Sequence, residues 1–410
     1  MDSLFSSPCY RWPVIDFMET EVVAVERADS GWLVTTADTL FYPEGGGQPA
    51  DWGSIMSVNS GVRYEARPSG HEAALLIQGD FPPDSEPPFA QGDRAALSLD
   101  RERRVRHTIC HTAQHLLSAV LLELWQAPTV SMHLGDSGNT VDADISHFTA
   151  EMARKTEETV QAAIEADLPV ISHICPPEDA VNFPLRRELP QGEDTVRVVE
   201  IQGVDFSPCC GTHLPSLGKI GLLRISGWEK YKGKTRIHFN AGHDAWAFDS
   251  ALRDTLVEAA SILEVNPPEL PGRITALRDH AAELEKKLKA LSALWAEGEV
   301  SALGEAASER AAPGRAVVSR SYEKCDAELV TLAAKECSLK LGVPAVFSSV
   351  PSLTLICTAP KGSSLNLKEL LLPVFSAHQG RGGGGPSMVR GVFDSPEDLE
   401  KCRLECAVPF

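Results

Sequence analysis

The sequence lacks the features of a membrane or secreted protein. None of its 410 residues belongs to a run of eighteen or more apolar residues, so we predict no membrane-spanning helix. The N-terminus, MDSLFSSPCYRWP, has an early acidic residue and no apolar stretch, which argues against a secretory signal. The ten cysteines are scattered rather than spaced as a disulfide framework. We therefore expect a reducing compartment and a cytoplasmic protein.

Basic residues are also scarce. There are 38 lysines and arginines against 57 acidic residues, giving a net charge of −19. This balance argues against a general nucleic-acid binder, because phosphate contacts need cations. Positive charge is instead grouped in short clusters: Arg101, Arg103, Arg104 and Arg106; Arg186 and Arg187; Lys230, Lys232, Lys234 and Arg236. Any one cluster is typical of a solvated face, but the overall distribution favours a selective binder of one RNA end.

Two short motifs carry possible metal ligands. RERRVRHTICHTAQHLL places His111 and His115 four residues apart in an apolar-periodic run, which puts both imidazoles on one face of a helix. SPCCGTH places Cys209 four residues before His213. Alone, the first motif would favour two ordinary helix histidines with common hydrogen bonds. Together, three imidazoles and a thiolate form a ligand set that suits zinc.

A glycine-rich segment precedes both motifs. Thr39 to Gly53 reads TLFYPEGGGQPADWG, with consecutive glycines at Gly45, Gly46 and Gly47. Glycine adopts positive φ and lets two backbones approach closely. Taken by itself, the segment predicts a hairpin turn.

The three motifs, in this order, resemble the editing domain of alanyl-tRNA synthetase and its freestanding relatives, the alanyl-tRNA editing (AlaX) proteins. The resemblance implies an α+β fold with an N-terminal β-barrel of translation-factor type. It also implies one Zn²⁺ per chain, bound by His111, His115, Cys209 and His213. The family pattern usually reads C-G-G-T-H, and Cys210 departs from it, either as a tolerated neighbour or as a competing ligand.

The resemblance implies further site residues. Thr39 would contact the hydroxyl of a serine substrate with help from Gln48, and Gly45, Gly46 and Gly47 would contact the substrate or the tRNA acceptor end. The expected partner is tRNA(Ala) carrying serine or glycine. Among the basic residues, we expect tRNA contacts from Arg101, Arg104, Lys232, Lys234, Arg236 and Arg381.

Periodicity and composition divide the chain into four segments. The alternation over residues 1–100 fits a small β-barrel or sandwich, and the resemblance implies the barrel. Residues 101–246 should form an α+β domain, which the resemblance implies to be the zinc-containing editing domain. We further predict a helical or coiled-coil linker over 247–312 and a small α/β domain over 313–410. Within the second segment, a helix over 104–124 carries HTAQH.

The last two segments each leave alternatives open. Apolar residues recur in the linker at alternating spacings of three and four: Ile274, Leu277, Ala281, Leu284, Leu288, Leu291 and Trp295. This pattern fits a short coiled coil, including a homodimer seam, as well as a helix packed on its own domain. GRGGGGPSMVRG (Gly380 to Gly391) predicts either a phosphate-binding backbone or a flexible loop. It resembles the C-terminal end of alanyl-tRNA synthetase and DHH phosphoesterases, which would make this a long-form editing protein.

We therefore expect a zinc-dependent aminoacyl-tRNA deacylase that hydrolyses Ser-tRNA(Ala) in trans and spares Ala-tRNA(Ala). No aminoacylation core precedes the barrel in this sequence, so we expect no amino-acid activation. The same chemistry on a threonyl-type tRNA and a non-catalytic, zinc-stabilised tRNA-binding module are alternatives. A phosphoesterase is disfavoured because the sequence has no Asp-His-His cluster. Whether the zinc is catalytic or structural is left open, since four ligands close a tetrahedral shell.

Overall fold

A computed structural model describes residues 5, 7–70, 73–79, 81–82, 85–136, 138–310 and 317–410, without the side chains of 305–310. The chain divides into two compact units, Met1–Glu258 and Ala259–Phe410. Among the described helices, none combines the length and the apolar character needed to cross a membrane. The three boundaries between the four predicted segments stay predictions, and the one at 312/313 lies outside the described residues.

The first unit begins with the predicted β-barrel. Six antiparallel strands close in the order β1-β2-β5-β4-β3-β6. Their bounds are β1 Phe17–Ala28, β2 Gly31–Thr36, β3 Gly53–Ser57, β4 Arg63–Pro68, β5 Ala74–Gln78 and β6 Arg94–Leu99. Alternate residues such as Val34, Ile55 and Leu97 are fully buried and form the barrel core. The glycine-rich segment lies between β2 and β3, and its Leu40 and Phe41 also pack into this core.

A long helix and an antiparallel sheet follow the barrel. Helix α1 (Arg101–Trp125) begins at Asp100, whose carboxylate accepts a hydrogen bond from the Arg103 N–H at 3.0 Å. The sheet has the order β12-β13-β8-β7. Its strands are β7 Thr129–Gly135, β8 Gly138–Ala143, β12 Leu223–Tyr231 and β13 Lys234–Ala241, and helix α2 (Ala150–Glu165) packs with α1 over one apolar core. The predicted mixture of barrel and α+β domain is thereby confirmed.

A smaller three-stranded sheet completes the first unit. Strands β9 (Val170–Cys175), β10 (Val196–Ile201) and β11 (Asp205–Pro208) pair antiparallel in the order β11-β10-β9, with the short helix α3 (Pro177–Ala180) between β9 and β10. Strand β11 leads directly into the CCGTH motif. Helix α4 (His243–Ile262) then leads from the first unit into the second.

The second unit contains a five-stranded sheet and the long helix α5 (Leu270–Arg310). The sheet order is β14-β15-β16-β18-β17, and only β14 and β15 are parallel within the described part of this sheet. The elements are β14 Val318–Tyr322, α6 Ala327–Leu341, β15 Ala345–Ser349, β16 Thr354–Thr358, α7 Leu367–Ala377, β17 Arg381–Gly385, β18 Met388–Val392 and α8 Pro396–Cys406. The predicted α/β alternation therefore gives a mixed sheet.

Of the two alternatives for the glycine-rich stretch of the second unit, the flexible loop does not describe its first half, which is a strand. Gly382 to Gly385 form the edge strand β17, paired with β18. A Cβ on Gly382 would lie 2.6 Å from the Phe375 ring and 2.7 Å from the Arg390 carbonyl oxygen. The glycines therefore let the edge strand approach helix α7 and its neighbouring strand closely.

Candidate metal centre

Helix α1 supplies two side chains to one buried point. His111 and His115 are 0 % and 2 % exposed, and their ring centroids are 5.2 Å apart. The four-residue spacing stacks the rings along the buried face of the helix, as predicted. The same face is apolar further along, where Leu116 and Leu117 anchor it in the core.

The loop after β11 supplies the other two side chains. The Cys209 N–H donates to the Arg197 carbonyl oxygen at 3.0 Å, and the Arg197 guanidinium donates to the carbonyl oxygens of Gly211 at 2.5 Å and Cys209 at 3.4 Å. These contacts fix the curve of the loop. They bring His213 to within 4.7 Å, between ring centroids, of both His111 and His115.

The four side chains converge on one point. The Cys209 Sγ lies 3.2 Å from the His111 Nε2 and 3.4 Å from the His213 Nε2, and the four donor atoms all lie within 4.8 Å of one another. In tetrahedral zinc sites, bonds of about 2.0 to 2.3 Å place sulfur and nitrogen ligands about 3.6 Å apart. The donor atoms are buried, although the His213 side chain as a whole is partly exposed. The geometry and the donor chemistry therefore fit a metal ion bound by one thiolate and three imidazoles.

Each imidazole has a partner on its other nitrogen. The His111 Nδ1 lies 2.9 Å from the Gln48 Oε1, the His213 Nδ1 lies 3.5 Å from the Thr112 Oγ1, and the His115 Nδ1 lies 3.5 Å from the Asp205 Oδ2. The Nε2 atoms of His111 and His213 face the Cys209 Sγ, whereas the His115 Nδ1 faces the Asp205 carboxylate without a hydrogen bond among the described residues. Partners of this kind fix the ring orientation and the tautomer of a metal-binding histidine.

Charge and burial act on the pKa values of these groups in opposite directions. Burial tends to raise the pKa of the Cys209 thiol, but the three neighbouring imidazoles outweigh it and hold that pKa well below its usual value. Burial lowers the pKa of His111 and of His213. At His115, burial is outweighed by the Cys209 thiolate and the Asp205 carboxylate, and the pKa is raised. The charge of the cluster thus acts toward the thiolate form of Cys209, which is the form that binds metal.

The glycine-rich segment closes against this centre. Gln48 is 1 % exposed, and its amide bridges the His111 ring and Thr212, whose N–H donates to the Gln48 Oε1 at 3.0 Å. Gly45 and Gln48 form an isolated β-bridge, and a Cβ on Gly46 would lie 3.9 Å from the Gly211 nitrogen. A Cβ on Gly47 would lie 2.7 Å from the Met132 Sδ. The glycines therefore allow the segment to pass between the CCGTH loop and strand β7.

Comparisons with known proteins agree with this architecture. The family described as "Threonyl and Alanyl tRNA synthetase second additional domain" matches residues 196–238, from β10 into β13. The chain is 26 % identical over 404 residues to "Alanyl-tRNA editing protein AlaX-L" of Pyrococcus horikoshii, covering 97 % of this chain and 96 % of that protein. The chain resembles the long AlaX proteins. The predicted resemblance is thereby confirmed.

Two further relatives are matched over half or less of their own length. The chain is 28 % identical over 402 residues to "Alanine--tRNA ligase" of Methanoculleus marisnigri, covering 94 % of this chain but only 41 % of the ligase. It is 35 % identical over 217 residues to "Alanyl-tRNA editing protein Aarsd1" of Mus musculus, covering 52 % of this chain and 50 % of that protein. The chain thus spans less than half the length of the ligase that it matches.

The two predicted specificity residues Gln48 and Thr39 make different kinds of contact. Gln48 contacts the His111 ring directly and is therefore engaged with the ligand set. The Thr39 hydroxyl accepts a hydrogen bond from the Phe41 N–H at 3.1 Å, a local contact within the glycine-rich segment. Cys210 is exposed and does not belong to the cluster of donor atoms, whereas the neighbouring Cys209 does.

One predicted tRNA contact must be corrected. Arg104 is 2 % exposed and donates to Asp51 at 3.1 Å, to the Cys9 carbonyl oxygen at 2.9 Å and to the Leu40 carbonyl oxygen at 2.8 Å. Its guanidinium therefore fastens α1 to the barrel segment and is not available to RNA.

The other predicted tRNA contacts are at the surface. Lys232, Lys234 and Arg236 lie on the β12–β13 hairpin, where Arg236 pairs with Asp142 at 2.7 Å and Lys234 with Asp144 at 3.5 Å. Arg101 lies 3.6 Å from Asp16, and Arg381, in the second unit, lies 3.0 Å from Asp394. Apart from the buried Asp142, the side chains of these pairs are partly or largely exposed to solvent. Their net contribution to an RNA-binding surface is therefore reduced by neighbouring carboxylates.

Sequence reasoning missed the residues that hold the ligands in place. They are Thr112, Asp205, Thr212, Arg197 and Arg186, which contact ligands, the groups around them or each other across 14 to 164 residues of sequence. Three of them carried a local signal, because Thr212 directly precedes His213 in the CCGTH motif and two others also lie near ligands in the sequence. Thr112 follows His111 directly on α1, and Asp205 precedes Cys209 by four residues on an alternating strand.

Proposed function

We propose that this protein is a trans-editing hydrolase that deacylates mischarged Ser-tRNA(Ala), and also Gly-tRNA(Ala), in the cytoplasm while sparing Ala-tRNA(Ala). The observation that carries the proposal is the convergence of His111, His115, Cys209 and His213 beneath the glycine-rich segment. Similarity to an alanyl-tRNA editing protein over nearly the whole chain supports the same conclusion.

The metal in this proposal is Zn²⁺, one per chain. Three imidazoles and one thiolate are the ligand types that zinc favours. The Nδ1 of each imidazole faces a polar side chain, and the neighbouring imidazoles lower the pKa of the Cys209 thiol. When bound, zinc would supply Lewis-acid polarisation or positioning of the aminoacyl ester. The chain itself holds the ligands, excludes bulk water from three of the four side chains and fixes each imidazole by its Nδ1 contact.

Specificity would rest on the serine hydroxyl. Alanine and serine differ by one hydroxyl group, which a pocket selecting by size rejects poorly. A site that hydrogen-bonds the hydroxyl discriminates strongly, because alanine leaves its polar group unpaired. We assign that contact to Thr39, with Gln48 acting through His111 and Gly45, Gly46 and Gly47 giving close backbone access. A substrate would have to draw the Thr39 hydroxyl away from the Phe41 N–H or share it.

For tRNA binding we propose the β12–β13 hairpin in the first unit. Tyr231 lies at its tip, with the Arg236 guanidinium 3.6 Å and the Lys232 ammonium 5.0 Å from the ring centroid. Grouped cations beside an aromatic ring are typical of single-stranded RNA contacts. We also propose Arg101 and, in the second unit, Arg381 as tRNA contacts. Arg104 is not one of them, because it is buried.

We also propose that α5 forms a homodimer seam. Its apolar stripe is open to solvent in the single chain, with Ile274 56 %, Leu284 50 %, Leu288 66 % and Leu291 64 % exposed. Further along, Ala296 and Val300 pack instead into the core of the second unit. The N-terminal part of α5 therefore offers a seam for a second copy, as its three-four spacing predicts.

A second candidate function is favoured by the closed ligand set. Four protein ligands are typical of structural zinc, and a non-catalytic tRNA-binding module would need no open position. Editing of a threonyl-type substrate is the remaining alternative, since the matched family includes threonyl-tRNA synthetase domains.

One experiment separates the three functions. The purified protein and its His111→Ala variant are incubated with Ser-tRNA(Ala), Ala-tRNA(Ala) and Thr-tRNA(Thr), and the remaining ester is measured over time. We expect rapid loss of serine alone, abolished in the variant. Loss of threonine would show a threonyl-type editor. Inertness toward all three with retained tRNA affinity would show a binding module.

A further inference from the structure

Asp205 is a buried carboxylate beside the metal centre. It is 4 % exposed, and its Oδ2 lies 3.5 Å from the His115 Nδ1. The Arg186 guanidinium binds both carboxylate oxygens, with Nε 2.7 Å from Oδ1 and Nη2 3.1 Å from Oδ2. Arg186 is in turn tied to β11, because its N–H donates to the Phe206 carbonyl oxygen at 2.8 Å. The carboxylate is therefore held in one orientation.

The partner of His115 differs in kind from those of the other two imidazoles. His111 has the neutral amide of Gln48 and His213 has the neutral hydroxyl of Thr112, whereas His115 faces an anion. The His115 Nδ1 is buried and has no hydrogen-bond partner among the described residues, and the Asp205 carboxylate is the charged group that it faces. Asp205 is thus the acceptor toward which its N–H must point if Nε2 is to bind metal.

We propose, on the basis of the zinc site in the proposed function, that Asp205 is a positioning residue that orients His115 and strengthens it as a ligand. A carboxylate on the outer nitrogen fixes the tautomer and increases the basicity of the inner nitrogen. Arg186 makes this possible, because a buried carboxylate without a partner would be costly. Asp205 and Cys209 lie four residues apart, so a single strand and its following loop supply both a ligand and the carboxylate that orients another.

The test is the zinc affinity of the full-length Asp205→Asn variant. Asparagine keeps the size of the side chain and removes its charge. We expect zinc to bind about 10 to 100 times more weakly, measured by competition with a chromogenic chelator. The unfolding midpoint of the zinc-free variant, measured in parallel, separates a loss of zinc affinity from a general loss of stability. Arg186→Gln should weaken zinc binding in the same direction.

Glu200→Gln is the matched control. The Glu200 Oε2 lies 2.7 Å from the His173 Nε2, so it is also a carboxylate–imidazole pair, located on the strand next to β11 and outside the ligand set. We expect this control to bind zinc as the wild type does. Unchanged zinc affinity in Asp205→Asn, or an equal loss in Glu200→Gln, would overturn the role of Asp205 while leaving serine deacylation by the wild type intact. A wild type that binds no zinc would overturn both proposals.

Discussion

The substitution Gly211→Ala, which adds a single methyl group, should displace the His111 ring from the metal centre. A Cβ at this position would lie 2.0 Å from the His111 Cε1 and 2.3 Å from its Nδ1. Non-bonded carbon atoms pack about 3.5 to 4.0 Å apart, so the ring would have to retreat by about 1.5 Å. It has little room, because the Gln48 Oε1 lies 2.9 Å from its Nδ1 and the Cys209 Sγ lies 3.2 Å from its Nε2.

The displacement can be compared with what a metal site tolerates. Metal–ligand distances vary by only about 0.2 Å around their usual values, so a ring moved by more than 1 Å no longer binds. We therefore expect Gly211→Ala to bind zinc at least about 100-fold more weakly, and to lose about 1 to 3 kcal/mol of unfolding free energy through overpacking. Backbone strain does not contribute, because Gly211 is not among the described glycines with positive φ.

The assay is a zinc titration against a chromogenic chelator, together with urea unfolding of the zinc-free protein. Gly227→Ala is the control, since a Cβ there meets no atom within 4 Å. If Gly211→Ala bound zinc as tightly as the wild type, the loop at Gly211 would not be packed against the His111 ring, and the predicted clash would be wrong.

Three further predictions follow from buried and exposed side chains. Arg104→Met should lower the unfolding free energy by about 3 to 5 kcal/mol in urea, because Asp51 is left buried and unpaired, whereas the exposed Arg101→Met should cost less than about 1 kcal/mol. Burial lowers the pKa of His107 to about 4. As the pH falls below about 6.5, this histidine therefore binds a proton in the unfolded chain but not in the folded one, which favours unfolding. Between pH 7 and pH 5, the wild type should therefore lose about 2 kcal/mol more stability than His107→Asn, and equal losses would contradict the burial of a neutral ring. Leu288→Lys should convert a dimer to monomers in sedimentation equilibrium without lowering the melting temperature of the monomer, since the side chain is 66 % exposed in the single chain.

The parts that could be predicted from the sequence are those with short-range signals. The spacing of His111 and His115 specifies a shared helix face, and the alternation of residues in the barrel strands specifies an inner and an outer surface. The CCGTH motif needs only a tight loop to bring Cys209 and His213 together. These patterns extend over about one turn of helix or one strand, so a single sequence is enough to predict the local structure from them.

The remaining parts depend on contacts between distant segments. Gln48 reaches Thr212 across 164 residues, and Arg104 reaches Asp51 across 53 residues. No local pattern distinguishes Arg104, which is buried, from Arg101, which is exposed, in the run RERR. Similarly, the glycines of β17 suggest a loop by composition, and only the position of Phe375 shows why a strand needs them there.

The most direct test of the account compares two adjacent cysteines. Cys209 provides the donor atom that converges with three imidazoles, whereas the exposed Cys210 stands outside that cluster. Hydrolysis of Ser-tRNA(Ala) and bound zinc are measured together for Cys209→Ala and Cys210→Ala. We expect Cys209→Ala to lose both bound zinc and serine deacylation, and Cys210→Ala to retain both. Undiminished deacylation in a zinc-free Cys209→Ala protein would contradict the claim that this centre carries the activity.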